Sequence, residues 1–113
     1  MKVTQSALLD PNRATEARKL GSALARLRIA RGVRQDQAAL RAGVSRNTAY
    51  RLEKGDPGIA MGQILRYLEA IVPGKTLLEL LSETDPALAA LTAKERRRRV
   101  RDLSKRELDE LDF

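Results

Sequence analysis

The chain has 113 residues, enough for one domain and a tail, and its 22 Lys and Arg against 15 Asp and Glu give a net charge of +7. It contains no His and no Cys, which excludes disulfides, the usual zinc sites, thiol nucleophiles and Ser-His catalytic pairs. Its apolar residues are mostly Leu and Ala, and no apolar run reaches the length of a membrane span, so we expect an all-α protein without a membrane segment.

The first predicted element is a helix that begins at Asp10 and Pro11 and runs to about residue 31. Asp is a favourable N-cap, and Pro fits the first helical position because the N–H that it lacks has no helical partner there. Apolar residues then recur at the i, i+4, i+7 spacing of one helix face: Leu20, Leu24 and Leu27. We predict an N-terminal arm, residues 1–13, followed by a folded domain, residues 14–82.

Two short helices joined through a glycine follow, and this arrangement predicts a helix-turn-helix. The first covers residues 34–42, and the second covers about 46–54 with Ser45 as its N-cap. Gly43 allows the positive φ of the turn, and the small side chain of Ala39 lets the two helices approach closely. The second of these helices is the candidate recognition helix.

The candidate recognition helix sorts its side chains into two faces, since successive residues are about 100° apart. Ala49 and Leu52 lie on the face that meets the core. The opposite face carries four side chains suited to a major groove: Arg46, Asn47, Tyr50 and Arg51. Arg can read guanine, Asn can read adenine, and Tyr can meet a thymine methyl group or a phosphate. A solvated basic face is the alternative interpretation.

Two further helices complete the predicted domain, one over residues 61–72 and a leucine-rich one that follows Thr76. The leucines of the last helix are candidates for a dimer interface: Leu77, Leu78, Leu80 and Leu81. The alternative is that these leucines only close the core of the monomer. Beyond residue 82 the apolar pattern weakens, so residues 83–113 are predicted to be a charged tail, partly helical or disordered. Capping boxes at Thr92 and Ser104 predict two short helices within it.

The positive charge is concentrated in two stretches. Residues 15–55, which include the helix-turn-helix, carry ten basic and three acidic side chains, net +7. Residues 94–101 carry six basic and one acidic side chain, net +5, and the next stretch, residues 102–113, is net −3. We interpret residues 94–101 as a solvated tail, with a nucleic-acid arm as the alternative.

The stretch VRQDQAALRAGVSRNTAYRLEKG, residues 33–55, resembles the Cro/CI-type helix-turn-helix of lambdoid phage repressors and of the bacterial regulators built on it, the XRE family. The resemblance extends over roughly residues 15–81. It implies an all-α, five-helix, lambda-repressor-like domain that binds double-stranded DNA.

This resemblance also implies roles for single residues. The positions that match base contacts are Arg46, Asn47 and Arg51. The phosphate contacts expected at the two helix starts are Arg34, Gln35, Ser45 and Thr48, of which Gln35 matches the phosphate-holding Gln of that family. Arg28 and Glu53 match a buried ion pair that ties the first predicted helix to the recognition helix, and we expect its role to be structural.

The chain departs from the family pattern at several positions. Arg34 stands where a Ser or Thr usually caps the helix, which removes a cap and adds a candidate phosphate contact. Ala38 replaces a usual Leu, and Leu40 takes a usually polar place, so the core is rearranged or Leu40 faces a partner. Residues 56–60 contain no basic side chain to grip the DNA backbone. The arginine run 96–99 is a candidate to supply such contacts.

A second resemblance concerns the segment LEKGDPGIAMGQILRYLEAI followed by PGKTLLELL, residues 52–71 and 73–81. These are similar to HipB-like regulators, which are antitoxins that repress their own operon and bind a toxin kinase. A tight turn into any amphipathic helix would give the same pattern.

The sequence therefore predicts a sequence-specific transcriptional regulator, expected to be a repressor, that binds a palindromic operator as a homodimer. It is expected in the cytoplasm, on the nucleoid, without cofactor or catalytic activity. The alternative is an antitoxin that binds and neutralises a toxin protein through residues 82–113 while it regulates its own operon.

Overall fold

The computed structural model describes residues 4–82 and 86–111, with side chains described up to residue 102. In this part of the chain all regular structure is helical, and the predicted all-α class is confirmed. The helices in chain order are α1 (Gln5–Leu8), α2 (Pro11–Ala30), α3 (Gln35–Ala42), α4 (Arg46–Glu53), α5 (Met61–Ile71), α6 (Leu77–Leu81) and α7 (Pro86–Leu111). None of these helices is long and apolar enough to cross a membrane.

The start of α2 matches the sequence prediction. The Asp10 carboxylate accepts a hydrogen bond from the Arg13 backbone N–H at 3.0 Å, and Pro11 occupies the first helical position. After the helix ends, Gly32 has a φ of +69°, a conformation that costs glycine little. Four helices, α4, α5, α6 and α7, contact α2, so the rest of the molecule is arranged around it.

The core lies where α2, α3, α4 and α5 meet. Its main buried side chains come from these helices and from α6: Leu24, Leu27, Ala38, Ala39, Ala49, Leu52, Tyr67, Leu68, Ile71 and Leu80. Burying each large apolar side chain contributes about 1.5–3 kcal/mol. Ala38 is fully buried and Leu40 is 82% exposed, so the departures at these positions place a small side chain inside and a large apolar one on the surface.

Two glycines, Gly21 and Gly55, allow the backbone of α2 to contact the backbone at the end of α4. A Cβ added to Gly21 would lie 2.5 Å from the Gly55 nitrogen and 2.8 Å from the Glu53 carbonyl oxygen. A Cβ on Gly55, whose φ is +75°, would lie 2.4 Å from the Cα of Arg18. No side chain fits between the two segments, and this contact sets how closely α4 approaches α2.

The region beyond residue 85 forms one helix, α7, where the sequence predicted two short ones. Thr92 and Glu95 are in the middle of this helix, so their interpretation as a capping box is wrong. Both side chains instead accept hydrogen bonds from Arg26 of α2, to Thr92 Oγ1 at 3.3 Å and to the Glu95 carboxylate at 2.6 and 3.0 Å. The chain after Pro86 contains no Pro or Gly that would end the helix, and Leu88 is buried.

Candidate nucleic-acid interface

The turn between α3 and α4 has the local structure that its sequence predicts. Gly43 has a φ of +69°, and the Val44 N–H donates to the Ala39 carbonyl at 3.0 Å. The Ser45 hydroxyl oxygen then accepts the Thr48 backbone N–H at 3.0 Å and caps α4. These short-range bonds fix the first residue of α4 and the direction in which the helix leaves the turn.

The face of α4 that points away from the core carries Arg46, Asn47 and Tyr50, all exposed. Ala49 and Leu52 on the opposite face are buried in the core. The Lys54 Nζ lies 5.4 Å from the centre of the Tyr50 ring, a distance at which a cation and an aromatic face attract each other. Three of the four predicted base-reading side chains thus lie together on one open surface.

Arg51, the fourth predicted base-reading residue, is held by a carboxylate within the protein. Its Nε donates to Asp56 Oδ2 at 2.7 Å, and Asp56 Oδ1 accepts the Gly58 backbone N–H at 2.8 Å. The Arg51 bond, followed by the Gly58 bond, lowers the pKa of Asp56 below its usual range, so the pair stays ionised at neutral pH. Because Asp56 uses the Nε edge, the two terminal nitrogens of Arg51 are left for another acceptor.

The predicted phosphate contacts lie at the starts of α3 and α4. The Ser45 and Thr48 hydroxyls are hydrogen-bonded to each other at 2.9 Å in addition to the N-cap bond. The exposed Arg34 side chain lies 3.3 Å from an Asp36 oxygen and makes no cap bond, as expected from the departure at this position. Its backbone N–H instead donates to the Gln37 side chain at 3.2 Å.

Gln35 lines an open groove of about 580 Å³ between α2, α3 and α4. The other residues of this groove are Arg18, Ser22, Ala25, Arg26, Tyr50, Glu53 and Lys54. Arginine and lysine side chains along one groove attract an anionic backbone. The groove joins the start of α3 to the exposed face of α4, so we treat both as one candidate surface.

Arg28 and Glu53 lie together beneath this surface. Arg28 donates from Nε and Nη2 to the two Glu53 oxygens, at 2.7 and 3.0 Å, and from Nη1 to the Val33 carbonyl at 3.0 Å. The Glu53 bond raises the pKa of Arg28, outweighing the opposing effect of burial. The pair links α2 to the end of α4 and to the segment that leads into α3.

Tyr67 of α5 completes this network and was not identified from the sequence. Its side chain is fully buried, and its hydroxyl donates to Glu53 Oε2. Burial, followed by the bond to Glu53, raises the pKa of Tyr67, so the hydroxyl keeps its proton. An aromatic residue on the apolar face of a helix was the only signal, and it predicts burial without indicating the polar partner.

The four leucines predicted as a dimer interface divide between surface and core. Leu78 and Leu81 are 78% and 59% exposed. Leu80 is buried in the core cluster, and Leu77 packs against that cluster. Of these four leucines, only Leu78 and Leu81 are on the surface and open to a partner.

Comparison with known families gives a match to a helix-turn-helix domain over residues 19–80. The matched region begins within α2 and ends in α6, and it contains the α3-turn-α4 unit and the Arg28–Glu53 pair. Comparisons with curated proteins and with solved structures gave no match. The matched region is more than half of the 113-residue chain. The chain therefore belongs to the helix-turn-helix domain family, whose members are DNA-binding regulators.

Proposed function

We propose that the protein is a sequence-specific repressor that binds a palindromic operator as a homodimer, with α4 in the major groove. The observation that carries this proposal is the exposed face of α4 with Arg46, Asn47 and Tyr50, opposite a face fixed in the core. We further propose the Cro/CI-type branch of the family, a place on the nucleoid in the cytoplasm, and no catalytic activity.

Base recognition in this proposal uses the hydrogen-bonding pattern of each side chain. Arg46 donates to guanine O6 and N7, and Asn47 pairs with adenine N6 and N7. Arg51 approaches a second guanine with its terminal nitrogens while Asp56 keeps its Nε edge. Tyr50, stabilised by Lys54, meets a thymine methyl group or a phosphate at the edge of the site.

Backbone contacts in this proposal come from the helix starts and the groove beside them. Arg34, Gln35, Ser45 and Thr48 lie at the starts of α3 and α4, and the N-terminus of a helix favours a bound phosphate. Such contacts set the register of a protein on DNA and carry no sequence information themselves.

The dimer is proposed because one recognition helix reads only a few base pairs. Two-fold pairing places two recognition helices about 34 Å apart, one turn of the duplex. Leu78 and Leu81 are the surface leucines that support an interface on α6. If the interface is on α6, the double variant Leu78→Glu with Leu81→Glu should sediment as a monomer and bind the operator more weakly. The domain should remain folded, because both side chains are exposed. A dimer that persists places the interface elsewhere.

Base reading is tested in a gel shift. The affinity of the protein for a duplex from the promoter of its own gene is compared with its affinity for scrambled duplexes. Arg46→Ala and Asn47→Ala are each expected to cost about 1–3 kcal/mol and to relax the preference at particular base pairs. Arg13→Ala is the matched control, because this exposed arginine lines a groove beside α6 and pairs with Glu16. Equal loss on every sequence would show that Arg46 and Asn47 touch only phosphates.

An antitoxin function is the second candidate, and the exposure of residues 96–102 of α7 favours it. Residues 96–102 are all exposed on a helix of 26 residues, a surface open to a protein partner. A chain that ends after Glu95 keeps the bonds to Arg26 and removes this surface. Loss of toxin neutralisation with intact operator binding supports the antitoxin, and uniform loss of DNA binding with a lower salt dependence supports a DNA arm.

A further inference from the structure

The bonds between α7 and α2 determine which way the basic part of α7 faces. Leu88 is buried, and Thr92 and Glu95, one and two turns further on, accept hydrogen bonds from Arg26. The Arg26 bonds lower the pKa of Glu95, so this carboxylate is ionised and the contact is intact at neutral pH. One side of α7 is therefore turned toward α2, and the rotation of the helix about its axis is set.

The basic side chains of residues 94–101 are not spread evenly around the axis of α7. Successive residues are about 100° apart, so residues at i, i+3, i+4 and i+7 lie within one sector of about 100°. The side chains with this spacing define what we call the basic stripe: Lys94, Arg97, Arg98 and Arg101. All four are exposed, and no acidic side chain lies among them. Arg96 and Arg99 fall outside the stripe, each about 100° from its edge.

The attached end of α7 adjoins the surface that is proposed to bind DNA, and the stripe lies on the side of α7 that is turned away from α2. Arg26, which holds Glu95, also lines the groove that contains Gln35, Tyr50 and Lys54. The segment after α4, residues 56–60, has no basic side chain of its own. A duplex seated on α4 thus lies next to the attached end of α7, where phosphate contacts from α7 add to those that Arg18 and Lys54 of the groove offer.

The chemistry of the stripe distinguishes DNA from other anionic partners. The stripe has no aromatic side chain, so it lacks the stacking platform that single-stranded RNA uses. Val100 is the one apolar side chain between Lys94 and Asp102, which is too little for the apolar face of a membrane-surface helix. Four cations along about 10 Å of a helix suit a regular row of phosphates.

We propose that the basic stripe of α7 is a second phosphate-binding surface, which contacts the DNA backbone beside the bases that α4 reads. This proposal rests on the proposed function only in that a duplex is bound at α4. The stripe strengthens binding to every sequence alike and makes it more sensitive to salt, because each contacted phosphate releases a counterion. Sequence preference stays with α4.

The test compares two double variants that lose the same charge. Arg97→Gln with Arg101→Gln removes half of the stripe, and Arg41→Gln with Arg66→Gln, which changes two exposed arginines of α3 and α5, is the matched control. Glutamine retains helix propensity close to that of arginine, and circular dichroism verifies that α7 is kept. Binding to operator and to scrambled duplexes is measured by fluorescence anisotropy over a range of salt concentrations.

The stripe variant is expected to lower the slope of log K against log salt by about 1.8, which is about 0.9 for each lost phosphate contact. Affinities for operator and scrambled duplex should fall by the same factor, while the control variant keeps a slope close to wild type. Arg97→Lys with Arg101→Lys should restore the wild-type slope, since the charge is returned.

Three results would overturn the proposal, and a fourth would separate it from the repressor proposal. An equal decrease of the salt slope in both variants would mean that the overall charge of the protein, and not the stripe, determines the salt dependence of binding. Unchanged slopes in both would mean that α7 does not touch DNA. Loss of binding to phosphatidylserine vesicles or to an acidic protein, with an unchanged DNA slope, would assign the stripe to those partners. A wild-type protein that prefers no sequence, yet loses slope only in the stripe variant, would sink the repressor proposal and leave the stripe intact.

Discussion

Two arginines of α2 each hold a glutamate of another helix, and the two pairs differ in their exposure to water. Arg28 binds Glu53 of α4, and the two side chains are 15% and 6% exposed. Arg26 binds Glu95 of α7 with equally short bonds, but the Arg26 and Glu95 side chains are 40% and 39% exposed. The chemistry of the pairs is the same, so burial is what distinguishes the attachment of α4 from that of α7.

Burial determines how firmly each pair holds its helix. Water and salt screen an exposed pair, which therefore contributes little to stability. Removing one partner of a buried pair leaves an uncompensated charge in the interior. A firmly held α4 suits the reading of base edges, which requires side chains at defined positions. The more exposed ion pair of α7 suits phosphate contacts, which tolerate adjustment along the backbone.

Glu53→Ala is expected to give the largest effect on stability. The change leaves the Arg28 guanidinium and the Tyr67 hydroxyl without the carboxylate to which both are bonded. We expect the free energy of unfolding to fall by about 3–5 kcal/mol, measured by urea unfolding, with a lower melting temperature.

Glu95→Ala is the matched control for that comparison. It breaks the equivalent pair on α7, and the unfolding midpoint of the domain should stay close to that of wild type because the pair is exposed. An unchanged melting temperature for Glu53→Ala, or equal losses from the two variants, would contradict the difference between the two attachments.

Gly21→Ala is expected to have an intermediate effect, because it disturbs α4 through the backbone contact. The new methyl group would lie 2.5 Å from the Gly55 nitrogen, and neither backbone can yield without moving a helix. Overpacking of this kind costs about 1–3 kcal/mol, read from urea unfolding. Gly62→Ala is the control, since its Cβ would meet nothing within 4 Å, and it should leave stability unchanged or raise it. Equal destabilisation by both would contradict the close approach of α2 and α4.

Asp56→Asn is expected to have the smallest effect of the three destabilising variants. The pKa of Asp56 is lowered in the folded protein, mainly by Arg51. The pair therefore contributes stability above the ordinary carboxyl pKa of about 3.9, and this contribution is lost as the pH falls through the lower folded value. At neutral pH the variant should be slightly less stable than wild type. It should also discriminate less at the base pair that Arg51 is proposed to contact, because Asp56 no longer holds the Arg51 side chain as a carboxylate. In urea unfolding toward acid the difference from wild type should vanish, and a difference that persists there argues against the pair.

The parts of the fold that the sequence predicted correctly depend on neighbours in the chain. The Asp10 cap bonds to a residue three positions on, and Gly43 and Ser45 act within the turn that they form. The faces of α4 follow from helix periodicity alone. Such signals are local, so composition and spacing reveal them without knowledge of the tertiary structure.

What the sequence did not predict depends on contacts between distant residues. Arg26 reaches a glutamate 69 positions away, and without that contact the capping box at Thr92 was the simplest interpretation. Tyr67 meets Glu53 across 14 positions, and Gly21 meets Gly55 through the crossing of two helices. Arg51 and Asp56 are only five positions apart, but their bond depends on the turn that follows α4.

The central claim, that α4 reads bases while α7 holds phosphates, is tested most directly by measuring two quantities for two variants. The quantities are the ratio of operator to scrambled-duplex affinity and the salt slope of binding. Asn47→Ala should lower the ratio and leave the slope nearly unchanged, whereas Arg97→Gln with Arg101→Gln should lower the slope and leave the ratio unchanged. If both variants change both quantities in the same proportion, the division of labour between α4 and α7 is contradicted.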